Sequence, residues 1–316
     1  MQAILDRLVK NRAQTPAWIA VIGALLGIGV ALLHPYFNDN PFESVLSILD
    51  DVVEYFVYAI GFFALFWIVL DKFIIGRKLT KKRWPKRSQV FSEALFSMAT
   101  QFVFLGVGVW QFTLMFPGVT RENMYRDISE YGIPYYLLTI LIAFILHDAY
   151  FYWAHRMMHQ PTLYKLFHKT HHESRDPTPF TTFHFHPVEA ALEGAASFSI
   201  SLMFLVMPWH ASVPAVWLTG MIIFNSIGHL GYEIYPSWWH KIPIFSTKTT
   251  GMHHYMHHQR VRGNYGLYFR FWDRLCGTEF KDYEQRYDDM FDKIKAGKKA
   301  KRDERMSPPP IPAANT

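Results

Sequence analysis

Histidine is the residue type best placed to do chemistry in this chain. Of its 16 histidines, 15 fall between His147 and His258, and most of them follow helix-face spacings. His155-Arg-Met-Met-His159 sets two imidazoles on one face, about 40° apart around a helix, before Pro161 breaks it. His168-Lys-Thr-His171-His172 and His254-Tyr-Met-His257-His258 each gather three imidazoles within about 100° of helix circumference. His184, His186 and His229 lie between these motifs, and His253 precedes the last. Asp148 lies within about 20° of the His155 line, whereas His147 is about 80° away. Isolated histidines are ordinarily surface or core residues, and His34, His210 and His240 take that reading.

Eight imidazoles brought together would repel one another if protonated and leave acceptors unpaired if neutral and dry. A cation resolves both problems, because neutral imidazole is a metal ligand. Zinc sites use three or four protein ligands, so eight or more imply two metals. All-imidazole sites suit zinc, copper, iron or nickel, and ligand type alone does not choose among them. The single cysteine, Cys276, excludes a disulfide framework, a cysteine-ligated cluster and a cysteine-type zinc site.

Apolar spans must position these motifs. The 316 residues are 50% apolar and 17% aromatic, with only 18% charged. Soluble chains carry about 25% charged residues, and the deficit points to lipid. Four long apolar runs cover Ala17–Leu33, Tyr55–Leu70, Ala94–Phe116 and Tyr135–Trp153; a membrane helix needs about 20 such residues. Two shorter runs, Gly194–Met207 and Ala211–Ile227, read as a spanning or re-entrant hairpin. The expected fold is all-α: a multi-pass helical membrane protein with a cytosolic histidine-rich helical cap. Membrane spans and linkers occupy 1–134, the di-metal catalytic domain 135–283, and a basic, Pro-rich disordered tail 284–316.

Loop charge sets the orientation. The N-terminal segment carries Arg7, Lys10 and Arg12, and the link over residues 71–93 is strongly basic, whereas residues 34–51 hold no Lys or Arg. The positive-inside rule then places both termini and all the histidine motifs in the cytosol of a bacterial inner membrane or an endoplasmic reticulum. The first run reads as a retained anchor, since no small-residue cleavage site follows it. The basic link obeys the same rule, and could also meet an acidic electron carrier.

The run HRMMH, HKTHH, HPVE, GHLGYE, HYMHH and GNYGLYFRFWDRLCGT, over roughly Leu146–Thr278, resembles the fatty acid hydroxylase/sterol desaturase superfamily of membrane di-iron enzymes. The resemblance implies that His155, His159, His168, His171, His172, His254, His257 and His258 are metal ligands, with His186 and His229 as additional ones. It implies two iron ions, zinc entering only by mismetallation, and O2-dependent hydroxylation or desaturation of a lipid C–H bond. Asp148, Glu189 and Glu173 then serve as catalytic-site groups that orient imidazole N–H donors; for Glu189 the alternative is a charge at a helix N-terminus after Pro187. Phe180, Phe183, Phe185, Trp238 and Trp239 are candidates for a channel mouth, the two tryptophans also for interfacial anchors. The chain has no GxGxxG and no cysteine set, so an external reductase or small electron carrier is implied as partner, with a lipid as substrate and no nucleic acid. The HLGYEIYP stretch is similar to the sterol branch. Two other classes share the histidines: a zinc-dependent membrane lipid hydrolase, which needs neither O2 nor electrons, and a non-catalytic metal-binding membrane protein.

Overall fold

The computed structural model describes residues 14–32, 41–115 and 124–306. Among them the protein is all-helical, with three isolated β-bridges and no strand. The principal helices are α1 (Ala17–Leu32), α2 (Pro41–Phe62, continued as a π-helical stretch Phe63–Val69), α3 (Arg87–Met115), α4 (Gly132–Met158), α5 (Pro187–Gly194), α6 (Val213–Gly228), α7 (Gly251–Arg260) and α8 (Tyr283–Met306).

Among the described residues, three stretches are long and apolar enough to cross a membrane: Val52–Val69, Arg87–Gln111 and Gly132–Met158. The first apolar run forms α1, 16 residues, about 24 Å at 1.5 Å per residue against a hydrocarbon core of about 30 Å. Helix α1 lies on α3 where Gly27 meets Phe102; a Cβ on Gly27 would stand 2.1 Å from the Phe102 carbonyl oxygen, so only glycine allows that approach. The expected hairpin has unequal arms. Its second arm is the continuous α6, while its first divides into Ala196–Ser201 and a 3-10 turn, Leu202–Leu205. His34, Arg7, Lys10, Arg12 and residues 34–40 of the charge-poor segment lie outside the described residues, as does the Pro-rich end; from Pro41 that segment is the start of α2.

The tail departs from the expected disorder. Residues 283–306 form α8, and Tyr283, Tyr287 and Phe291, at i, i+4 and i+8, are buried against Met252 and Met256 of α7. The charged composition of α8 hides this narrow stripe, which is enough to dock a helix. The basic link is likewise partly internal. Lys78 pairs with Asp71 at 3.0 Å and stands 4.0 Å above the Trp67 ring, while Arg77 donates to the Ile234 carbonyl at 3.1 Å. These contacts tie the end of the α2 span to the stretch that follows α6.

Candidate metal centre

Nine buried histidines form two adjacent groups: His155, His159, His168, His172 and His257 in one, His171, His229, His254 and His258 in the other. Within each group the candidate ligand atoms lie within 4.8 Å of one another. Each HxxHH motif feeds both groups, for a helical reason. From the first histidine, i+4 lies about +40° around the helix and i+3 about −60°. His168 and His172 therefore face the five-histidine group while His171 turns to the other; His254 and His258 face the four-histidine group while His257 crosses back. Helix α4 adds His155 and its C-cap His159, and α6 ends on His229.

Ring orientation tests whether a cation fits. The Nδ1 of His229 donates to the Asn225 carbonyl at 2.9 Å, and that of His258 to the Ser174 carbonyl at 2.9 Å. Both Nε2 atoms therefore carry lone pairs, yet they face each other at 3.1 Å. Two acceptors cannot hydrogen-bond; a cation between them turns the contact favourable. The other Nε2···Nε2 separations run from 2.9 Å (His254–His229, His168–His159) to 3.3 Å (His171–His229, His172–His159). Nitrogens about 2.1 Å from a shared ion would be separated by about 3.0 Å at a right angle and about 3.4 Å at a tetrahedral one. The residues fit two metal ions. Burial, reinforced by the neighbouring imidazoles, holds His159, His172, His254, His257 and His258 well below the ordinary imidazole range, so these rings stay neutral and able to coordinate.

The five-histidine group is anchored by the loop after α7. His257 Nδ1 donates to the Gly263 carbonyl at 2.8 Å and His155 Nδ1 to the Tyr265 carbonyl at 2.9 Å. Two carboxylates hold this loop by its amides. Asp273 accepts from Tyr265 N and Gly266 N, each at 2.8 Å, and from Thr278 Oγ1 at 2.7 Å. Asp148 accepts from Tyr268 N at 2.6 Å and Phe269 N at 3.2 Å. Gly263 sits at φ 126° with Thr278 O where a Cβ would go, a conformation reserved for glycine.

Asp148 therefore reaches the metal ligands through backbone rather than by touching an imidazole. Glu189 touches one directly, its Oε1 2.6 Å from His168 Nδ1, and burial raises its carboxyl well above the ordinary range. Glu173 accepts instead from Thr15, N and Oγ1 both at 2.8 Å. His186 stands outside both groups as the N-cap of α5, its Nδ1 accepting from Val188 N at 3.3 Å. His147 bonds Tyr268 Oη at 2.8 Å and Trp217 Nε1 at 3.2 Å. His184 lies against the Phe96 ring, and buried His253 stands 3.7 Å from Asp273. His210 is bonded to Ser212 and to the Arg126 carbonyl, and His240 is 3.4 Å from Asp288. Phe183 and Phe185 are buried in the core, Phe185 with its ring 5.2 Å from that of His171, and Phe180 packs against this core; Trp238 and Trp239 pack on Phe245. The motif reading gave no role to Asp273, although it lies inside the FWDRLCGT run. Nothing in that run announces a carboxylate aimed back at its own loop.

Comparison with known proteins places the chain. The fatty acid hydroxylase family model matches residues 140–278. A Dictyostelium discoideum protein provisionally named a methylsterol monooxygenase is 34% identical over 274 residues, 82% of this chain and 94% of that protein. A second from that organism, similarly named, is 35% identical over 159 residues, 49% of this chain and 56% of the relative. A Delta(7)-sterol 5(6)-desaturase of Aspergillus fumigatus is 27% identical over 276 residues, 82% of each chain. No solved structure matches. The chain belongs to the fatty acid hydroxylase/sterol desaturase family. Within that family it is an oxygen-dependent oxidoreductase.

Proposed function

We propose that the two histidine groups hold two iron ions, and that the protein hydroxylates or desaturates an unactivated C–H position of a sterol-type or fatty acyl lipid. Its electrons come from a separate reductase or small carrier. The observation that carries this reading is the pair of convergent Nε2 sets, five and four, at coordination spacing. When bound, the irons supply O2 activation; the chain supplies everything that holds and shields them. Backbone carbonyls take the Nδ1–H of His155, His229, His257 and His258 and leave Nε2 free to coordinate, and Glu189 holds His168 at Nδ1. Such partners set ring orientation and ligand basicity. Phe185 lies against the His171 ring and helps keep water from it. The relatives' printed names, a monooxygenase and a desaturase of sterols, support a sterol-type lipid and both reaction outcomes. Loop charge supports a cytosolic active site with both termini on the same side.

The test is lipid turnover by iron-loaded protein in detergent with a chemical reductant, with and without O2. Oxidised lipid formed only when both are present supports the reading. Lipid cleavage that needs neither, by protein carrying zinc, would assign the chain to the hydrolases.

A further inference from the structure

The two histidine groups have different aromatic neighbours. In the four-histidine group, His171 lies against Phe185. In the five-histidine group the Tyr265 ring lies 5.0 Å from that of His159 and 5.7 Å from those of His155 and His257. From Tyr265 the rings continue outward. Tyr152 of α4 is 6.3 Å from Tyr265, stacks on Trp272 at 5.9 Å with the planes 21° apart, and meets Trp153 edge-on at 5.3 Å. Trp153 and Trp272 are themselves 6.0 Å apart. Tyr152 is fully buried, whereas Trp153 is 51% exposed. The series runs from the ligand rings to the protein surface, each step within the range of aromatic contact, about 4.5–7 Å between centroids.

Packing alone is served by phenylalanine, as at Phe185. Tyrosine and tryptophan differ from it in giving up an electron far more easily. A phenol does so readily only if its proton has somewhere to go, and Tyr152 has such a place. Its Oη is 2.9 Å from Thr278 Oγ1, and Thr278 Oγ1 donates to Asp273 Oδ1 at 2.7 Å. A hydroxyl has one hydrogen, so that of Thr278 is spent and Tyr152 is the donor in the first bond. Arg156 Nη1 donates to the Tyr152 oxygen at 3.1 Å and leaves that direction of donation intact. The phenolic proton can pass to Thr278 as the Thr278 proton passes to Asp273, whose carboxyl burial holds above the ordinary range.

We propose that Tyr265, Tyr152, Trp272 and Trp153 form an escape route for oxidising power, used when the metal centre has reacted with O2 and no lipid is in place. The inference rests on the reading of the protein as a two-metal, O2-dependent oxidase. Each event carries one electron inward. Tyr152 gives an electron through the Tyr265 ring to the centre and its proton toward Asp273. The tryptophan pair then gives an electron to Tyr152, and the proton returns. A water-soluble reductant, a thiol or ascorbate, restores the exposed Trp153. Two such events, with two protons from solvent, use up the two oxidising equivalents that one C–H oxidation would have taken, and reduce the remaining oxygen atom to water. Without that reductant, oxidation settles on the tryptophans and spares His155, His159 and His257.

The test uses the full-length, iron-loaded protein in detergent, reduced chemically, freed of excess reductant and exposed to O2 without lipid. Peptide mass spectrometry then locates oxygen added to side chains. Trp272 and Trp153 should be marked in preference to Trp84 and Trp238, which are each 46% exposed and have no part in the series. Equal marking of all four would show a diffusible oxidant and overturn the proposal. Tyr152→Phe, with metal content unchanged, should leave Trp272 and Trp153 unmarked and move the products to Tyr265, His155 or His159; tryptophan products that persist in this variant would overturn it too. If Tyr152→Phe does not fold, the double variant Trp153→Phe/Trp272→Phe leaves Tyr152 in place and should move the products back onto it. Tyr152 no more marked there than in the wild type would count against the route. O2 uptake by the same samples separates the two readings: uptake with all four tryptophans unmarked overturns the escape route alone, whereas no uptake contradicts the oxidase reading and the route with it.

Discussion

Replacing Asp273 with asparagine isolates the loop that carries two of the ligand anchors. The carboxylate accepts three hydrogen bonds, from Tyr265 N, Gly266 N and Thr278 Oγ1. Asparagine keeps one oxygen and turns an NH2 toward a backbone N–H that has no lone pair to accept with, each lost bond to a charged group costing about 1.5–3 kcal/mol. The loop carries the Gly263 and Tyr265 carbonyls that hold His257 and His155. Losses one step removed from a metal typically cost about 10- to 100-fold in affinity, or about 1.4–2.7 kcal/mol. The four-histidine group takes its anchors from Asn225 and Ser174 instead, so it should be spared. Under graded chelation, with metal per chain followed by mass spectrometry, Asp273→Asn should release one metal at about 10- to 100-fold lower chelator than the wild type. The second metal should follow the wild-type curve. A variant that matches the wild type for both metals, or that loses both together while still folded, would refute the reasoning.

Other expectations follow from the same geometry. His257→Ala should remove one metal and abolish turnover, whereas His186→Ala should leave metal content at two, because His186 caps α5 outside both groups; equal metal loss in the two variants would contradict the assignment. Phe291→Ala should lower stability by about 3–5 kcal/mol, read as a fall in melting temperature, since this α8 side chain is 6% exposed and packs with Met252 and Met256 of α7; a disordered tail would show no change. Metal-free protein should lose stability as pH falls. His159, His172, His254 and His258 titrate well below the ordinary range when folded, so below about pH 6.5 the unfolded chain binds more protons. Stability is then flat above about 6.5 and declines from there downward, and a melting temperature that stays level or rises between pH 7 and pH 5 would refute this. Cysteine introduced at position 285 should label from the cytosolic side, opposite to one at position 40; labelling of both from one side would overturn the orientation.

The ligand types and the helical faces of the site were legible because i, i+3 and i+4 histidines leave a periodic trace. The sorting of each HxxHH between two metals was present in the same angles, since i+3 and i+4 lie on opposite sides of the first histidine, but it needs a second motif to face. What holds the rings was not legible. Ser174, Asn225, Gly263 and Tyr265 act through backbone carbonyls, which any residue possesses, so no residue type marks them. Asp148 faced the site in the helical projection, yet its partners are amides 120 and 121 residues away, a pairing that only the tertiary fold creates. His186 has the composition of a ligand and the position of a cap, and neighbouring Pro187 favours the second use. In the tail, overall charge concealed three aromatic residues at i, i+4 and i+8, enough to turn an expected disordered end into a docked helix.

The most direct test is the identity and number of metal ions in protein purified from its own host, measured together with the O2 requirement of its lipid turnover. Two irons per chain, with lipid oxidation that stops without O2, is the predicted result. One metal per chain, or lipid chemistry that continues without O2, would contradict the two-metal oxidase.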